Sequence, residues 1–311
     1  MKQSELPPLE ILSTLGINGM PTVTPVLGGF DVAMWKVEHE GQTSALRVFR
    51  AGAHEDCEHE RGVMEAARAA GLPVPEVQKA GVWQDYPVLL INWLAGCTVE
   101  DELRTRPWRL WSLGIAFGRM QAKIHAIPAP ALLRQRPNAW IAWRCEGEPT
   151  LQDHLRHLQS DQMALLHLDY HVRNVLTDGK HITGIVDWTN ALAGDPRADA
   201  ARTASILRVD PLARKPVLVW LGLRIFEQAW RIGYQREHGR FKDMSPFYAW
   251  AGTVMQGDLA ERYKHNPNEL VPARRWTNKW KAQAVCEAID LPHKGASGYN
   301  FTKGTPINRE R

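Results

Sequence analysis

The sequence predicts an α+β fold in two lobes, a small antiparallel-sheet N-lobe over residues 1–93 and a larger, mainly helical C-lobe over 94–311. Three observations predict it. Short runs of branched and aromatic residues separated by turn residues occupy positions 21–49. From Trp111 onward apolar positions recur at helical spacing. Between the helical stretches, residues 162–187 alternate short apolar runs with polar loops.

Taken in order, VTPVLGGF, VAMWKVEHE and TSALRVF read as three strands of a meander, the last two joined at Gly41 and Gln42. HEDCEHERGVMEAARAAG follows with good helix formers, acids in its first turn and Gly71 at its stop. LPVPEV is extended, because Pro73 and Pro75 remove donors and restrict the residues before them. Residues 82–93 supply one or two further strands, which places the lobe boundary near Leu94 to Thr98. WSLGIAFGRMQAKIHAI, PLARKPVLVWLGLRIFEQAWRIGYQ and PFYAWAGTVMQGDLAERY read as helices, and VLTDGKHITGIV as a hairpin. From about Lys294 the Gly, Ser, Asn, Thr and Pro content predicts a loosely held tail.

At 311 residues, with 44% hydrophobic and 23% charged residues, the chain can bury a substantial core and lies far from the composition of disorder. The net charge of +4 is a mild excess. Much of it sits late, at Arg274, Arg275, Lys279, Lys281, Lys294, Lys303, Arg309 and Arg311, and reads as a solvated tail, which argues against a nucleic-acid partner. Four scattered cysteines form no C-x-x-C pair, as expected of reduced thiols. The N-terminus has no apolar leader and no stretch approaches the ~20 apolar residues of a membrane span, so a cytoplasmic protein without a membrane partner is expected.

The chemistry concentrates in HLDYHVRNVL and GIVDW. Phosphoryl transfer needs a carboxylate that orients the attacking hydroxyl, together with oxygen ligands for a metal that neutralises phosphate charge. Asp169 and Asn174 stand five positions apart in a loop, and the hairpin returns the chain so that Asp187 faces Asn174. Such hard oxygen donors suit magnesium.

With ALAGDPRADAA downstream, these segments resemble the aminoglycoside phosphotransferase and choline kinase superfamily: His-x-Asp-x-x-x-x-Asn, a strand, a Val-Asp-Trp element and Gly-Asp-Pro, in order. The resemblance implies a protein-kinase-like fold and transfer of the γ-phosphoryl group of ATP, or of GTP, to a hydroxyl of a small molecule. It implies Asp169 as catalytic base, Asn174 and Asp187 as Mg2+ ligands, and Asp199 as the acid that braces the loop. Upstream it implies Gly28 and Gly29 as a phosphate-covering turn, Arg47 in place of the usual phosphate-contacting lysine, and Glu60 as its helical partner. Leu90 to Leu94 would then be the adenine-receiving hinge, with Asn92 and Leu94 at the nucleotide. Leu168 stands where a glycine is common, and Thr189 where many members carry a second acid.

Blander readings stand beside these. Gly28 and Gly29 are also an ordinary turn, and Glu60 a solvated acid at a helix start. His167 is read as a hydrogen-bonded brace of its loop. Trp220, Trp230, Tyr248 and Trp250 are read as helix packing ahead of a cation pocket. Two other functions remain open. One is a catalytically silent nucleotide-binding scaffold, suggested by Arg47 and Thr189. The other is a zinc hydrolase, with His167, Asp169 and His171 alternating along a strand.

Overall fold

A computed structural model describes residues 3–26, 32–158, 160, 163–211 and 217–289. Helix α1 (Pro8–Thr14) precedes the meander of β1 (Thr22–Val26), β2 (Ala33–His39) and β3 (Gln42–Val48). Then come α2 (His54–Ala69), β4 (Val77–Trp83) and β5 (Tyr86–Asn92). These strands form one antiparallel sheet in the order β1-β2-β3-β5-β4, with Arg47 of β3 paired between Met34 and Leu89. Residues 82–93 thus hold the end of one strand and all of another. The first of them begins earlier than the sequence predicts, directly after the Pro-rich connection.

Helix α2 buries Cys57, Glu60, Val63, Met64 and Ala67, one stripe at helical spacing that packs under the sheet. Each fully buried valine or methionine there contributes roughly 1.5–3 kcal/mol. Glu60 lies within that apolar stripe, so it is no solvated acid. Gly71, at φ +85, ends the helix in the left-handed conformation that favours glycine. Helix α1 was not anticipated. It closes the other face of the sheet, where Ile11 and Leu12 meet Trp35, Val37 and Trp83.

Beyond Asn92 the chain enters the second lobe. Strand β6 (Cys97–Thr98) pairs with β8 (Val175–Thr177) below, and α3 (Val99–Thr105) begins on the Thr98 cap. Helices α4 (Leu110–His125), α5 (Ala131–Arg134), α6 (Ala139–Ala142) and α7 (Pro149–Leu158) follow. After β7 (Ala164–Leu166), β8 and β9 (Ile182–Ile185) form the expected hairpin, and β10 (Leu192–Gly194) returns to pair with β7. Helices α8 (Pro196–Val209), α9 (Val217–His238), α10 (Ser245–Arg262) and α11 (Val271–Ile289) complete the lobe.

The axes of α4 and α9 come close because glycines meet across them. A Cβ on Gly118 would stand 2.1 Å from the Trp230 carbonyl oxygen, and one on Gly233 2.2 Å from that of Ile115. Gly114, Gly118, Gln121 and His125 share one face of α4, so this approach carries Gln121 and His125 into the lobe's centre, where both are buried.

The expectation of a solvated basic tail is corrected for its first part. Arg274, Arg275, Lys279 and Lys281 lie on α11, whose Ala273, Trp276, Thr277 and Ala284 are buried. That apolar stripe ties the basic residues to a packed helix. The tail from 294 lies outside the described residues. Among the described residues, no helix is long and apolar enough to cross a membrane.

Candidate active site

The segment after β7 carries the site. Strand geometry stops at Leu166, and Leu168 adopts φ +59, a left-handed conformation that costs a non-glycine residue roughly 1 kcal/mol. This is the physical reason a glycine suits the position. Here the turn is held from both sides: the Leu168 N–H donates to Asp199 Oδ1 at 2.7 Å, and Arg202 Nε donates to the Leu168 carbonyl at 3.3 Å.

Because the backbone turns there, His167, Asp169 and His171 do not alternate along a strand. His167 is fully buried, and its Nε2 donates to the Val186 carbonyl (3.1 Å) while its Nδ1 accepts from the Asp169 N–H (3.3 Å). Burial holds its pKa below the ordinary value against the pull of Asp199 and Asp169, and its two hydrogen bonds make it a brace of the loop. Among the described residues no group of three His, Cys, Asp or Glu side chains is arranged to hold a metal. The zinc cluster read from HLDYH is thereby corrected.

Asp169 lies where the loop opens. Asn174 Nδ2 donates to both its carbonyl oxygen (3.0 Å) and its Oδ2 (3.1 Å), and His171 Nε2 stands 3.4 Å from the same carboxylate oxygen. Burial raises the Asp169 pKa, but His171, Arg202 and His167 together outweigh it and hold the carboxyl well below the usual range. Asp169 is therefore an ionised acceptor throughout the neutral range.

The hairpin returns Asp187 beside Asn174 as expected, through the Val186 N–H donating to the Asn174 carbonyl at 2.9 Å. Asp187 adopts φ +65, and its Oδ1 accepts from Thr189 Oγ1 at 3.1 Å. The same hydroxyl reaches Glu60 Oε2 at 3.3 Å, so Thr189 links the loop to α2. With its amide nitrogen committed to Asp169, Asn174 keeps its side-chain oxygen free of that bond, and Asp187 follows directly on the residue that pairs with the Asn174 backbone. An amide oxygen and a carboxylate are hard donors of the kind magnesium takes.

Arg47 Nη2 donates to Glu60 Oε2 at 2.9 Å, and both side chains are buried. Arg47 Nε and Glu60 Oε1 have no protein partner. Burial pushes the Glu60 pKa up, and Asp187 adds to this. Arg47, Thr189 and the Trp188 backbone offset it only in part.

The expected hinge residues lie at the end of β5 and just beyond it. Asn92 Oδ1 accepts from the Glu76 N–H at 2.6 Å, which ties β5 to the entry of β4. Leu94 lies against Gly184 of β9, where a Cβ would come within 2.7 Å of its Cδ1. Gly28 and Gly29 lie outside the described residues. Of the aromatic group, Trp230, Tyr248 and Trp250 are buried as packing residues, whereas Trp220 is 43% exposed.

Three functional positions escaped the sequence reading. Gln121 Nε2 and His125 Nε2 of α4 both bond to Asp199 Oδ2, at 3.2 and 2.8 Å, and so complete the brace under the loop. Arg202, three residues after Asp199 on α8, stands over the loop and pairs with Asp258 of α10 at 2.7 Å. Asp169 opens onto a cleft of about 1050 Å³ walled by α3, α8, α9 and α10.

The family model described as the phosphotransferase enzyme family matches residues 22–236, more than half of the chain. No curated protein sequence matches. Among solved structures, a thermostable mutant of aminoglycoside phosphotransferase APH(4)-Ia in ternary complex with AMP-PNP and hygromycin B superposes with a TM-score of 0.63 at 18% identity, covering 89% of this chain and 98% of the other. An aminoglycoside-3'-phosphotransferase of type VIII gives 0.58 at 18%, covering 78% and 97%. Spectinomycin phosphotransferase APH(9)-Ia, in complex with ADP and spectinomycin, gives 0.53 at 14%, covering 87% and 92%.

Proposed function

The chain belongs to the phosphotransferase enzyme family, with the fold of a small-molecule kinase, and from that premise we propose that it moves the γ-phosphoryl group of ATP to a hydroxyl of a small molecule. The observation that carries this reading is Asp169, ionised, fixed by Asn174 and open to the cleft. An acceptor hydroxyl donates its hydrogen bond to the Asp169 carboxylate, which points the oxygen at the γ-phosphorus. As the new O–P bond forms and the bond to the β-phosphate bridging oxygen breaks, ADP leaves and the hydroxyl proton passes to Asp169. A carboxylate with so low a pKa is a weak base, so its main contribution is orientation, with the proton arriving late in the step.

Asn174 and Asp187 would hold Mg2+, which supplies neutralisation of phosphate charge when bound. Arg47, anchored by Glu60, would offer its guanidinium to the phosphates. A nucleotide partner and a hydroxylated substrate follow from this reading, and the cytoplasmic location expected from the sequence accords with it. The test is Mg-ATP-dependent phosphorylation across a panel of hydroxylated metabolites and antibiotics, with ADP release measured beside Asp169→Asn. The variant is expected to lose about 10²–10⁴-fold in turnover, and wild-type turnover in the variant would sink the assignment.

A further inference from the structure

From the walls of the cleft above Asp169 we infer that the acceptor is a bulky, mainly apolar alcohol bearing at most one charge, and that Arg144 is a specificity residue excluding polycations. The inference rests on the phosphotransferase reading and specifies its acceptor.

Five carboxylates face the cleft, and six arginines accompany them. Apart from Asp169, every one of those carboxylates is already bridged by a guanidinium. Asp258 pairs with Arg202 at 2.7 Å and Arg144 at 3.3 Å, and Arg144 also reaches Glu261 at 3.5 Å. Asp210 pairs with Arg262 at 2.8 Å, and Glu100 with Arg173 at 3.0 Å. A multiply aminated acceptor needs uncompensated negative charge around it. Here each of its ammonium groups would have to displace an arginine, and Arg202 is buried, with its other donors on Leu168 and Met255.

His171 and Asn190 add two polar groups, and the remaining wall is hydrocarbon, led by Leu103 of α3, Leu110 of α4, Trp143, Leu223 of α9 and Met255 of α10. Leu218 is 80% exposed and Val219 beside it 41%, apolar surface at the mouth that a ligand with a matching face would cover. A volume of about 1050 Å³ suits a large ligand rather than a small polyol.

The experiment titrates the full chain calorimetrically with methyl glucoside, octyl glucoside below its micelle-forming concentration, and hygromycin B. Affinity is expected to rise from methyl to octyl glucoside, by up to roughly fourfold per buried methylene, with hygromycin B weakest. Arg144→Gln, a half-exposed position, frees Glu261 and is expected to tighten hygromycin B about fivefold. Leu218→Glu, on the exposed rim, is expected to weaken octyl glucoside and tighten hygromycin B, and it carries the test if the Arg144 variant does not fold. Binding of hygromycin B above octyl glucoside by the wild type, no dependence on alkyl length, or hygromycin B affinity unmoved by these variants would overturn the inference. Mg-ATP-dependent phosphorylation across the panel of hydroxylated compounds, measured in wild type and Asp169→Asn, separates the two ideas. Phosphorylation of the polycation in preference to the alkyl glucoside, lost in the variant, removes only the acceptor class, whereas wild-type turnover in the variant removes the phosphotransferase reading itself.

Discussion

Two fully buried carboxylates, Asp199 in the C-lobe and Glu60 in the N-lobe, support the same site and are treated in opposite ways. Asp199 accepts from the Leu168 and His167 amides, from Gln121 and from His125. Burial alone would raise its pKa, but His125, His167 and Gln121 more than compensate and hold it below the usual range. Glu60 has Arg47, Thr189 and one backbone amide, and burial wins. The difference separates a finished support from an unfinished one. The loop that carries Asp169 is held by protein donors alone, while the Arg47 and Glu60 pair keeps a buried donor and a buried acceptor without protein partners.

The largest expected effect tests the finished support. Asp199→Ala strips four hydrogen-bond donors of their acceptor in a dry interior and should cost about 3–5 kcal/mol of unfolding free energy. Urea denaturation measures it, and a loss under 1 kcal/mol would mean the loop is held by packing instead. Because its folded pKa is depressed, the stabilisation from Asp199 is present above the unfolded value near ~3.9 and is lost as pH falls through the folded value. The gap between wild type and Asp199→Asn should therefore close in acid.

Glu60→Gln should show the opposite pH trend and a smaller effect. A raised folded pKa means that the folded state binds more protons than the unfolded one above the ordinary glutamate value near ~4.3. The Glu60 contribution then declines as pH rises through its folded value. The variant should gain stability relative to wild type across that window, while its affinity for Mg-ATP falls because Arg47 has lost its charged anchor. Parallel melting curves at pH 5 and pH 8 check the sign, and a variant that loses ground toward pH 8 would show that Arg47 fully compensates the buried charge.

The contrast also explains what the sequence could disclose. Asp169, Asn174 and Asp187 were legible because a five-residue loop and one short hairpin bring them together, and Arg47 opposite Glu60 because a meander followed by a helix leaves few arrangements. Gln121 and His125 were not, since they reach Asp199 across 78 and 74 positions. Their only local trace is two polar residues on the glycine-bearing face of α4. The zinc alternative failed because alternation holds only while the strand lasts, and β7 ends at Leu166. Helix α11 was hidden by its own arginines and lysines, which masked a buried stripe at helical spacing. The cleft walls come from four helices distant in sequence, so no local motif could describe the acceptor.

Thr189 joins the two supports and should give the smallest effect. Its single hydroxyl proton is within reach of both Glu60 Oε2 and Asp187 Oδ1, from a partly exposed position. Thr189→Val preserves shape and removes that link, so the stability loss should be about 0.5–1.5 kcal/mol, the value of one hydrogen bond. The Glu60 carboxyl loses one of the groups that favour its ionised form, so the variant's stability should fall more steeply with rising pH than wild type, and not at all in the Glu60→Gln background. A double-mutant cycle of Thr189→Val with Glu60→Gln measures this coupling directly. Strict additivity would show that the hydroxyl serves Asp187 alone, leaving the N-lobe carboxylate dependent on Arg47 and the Trp188 backbone.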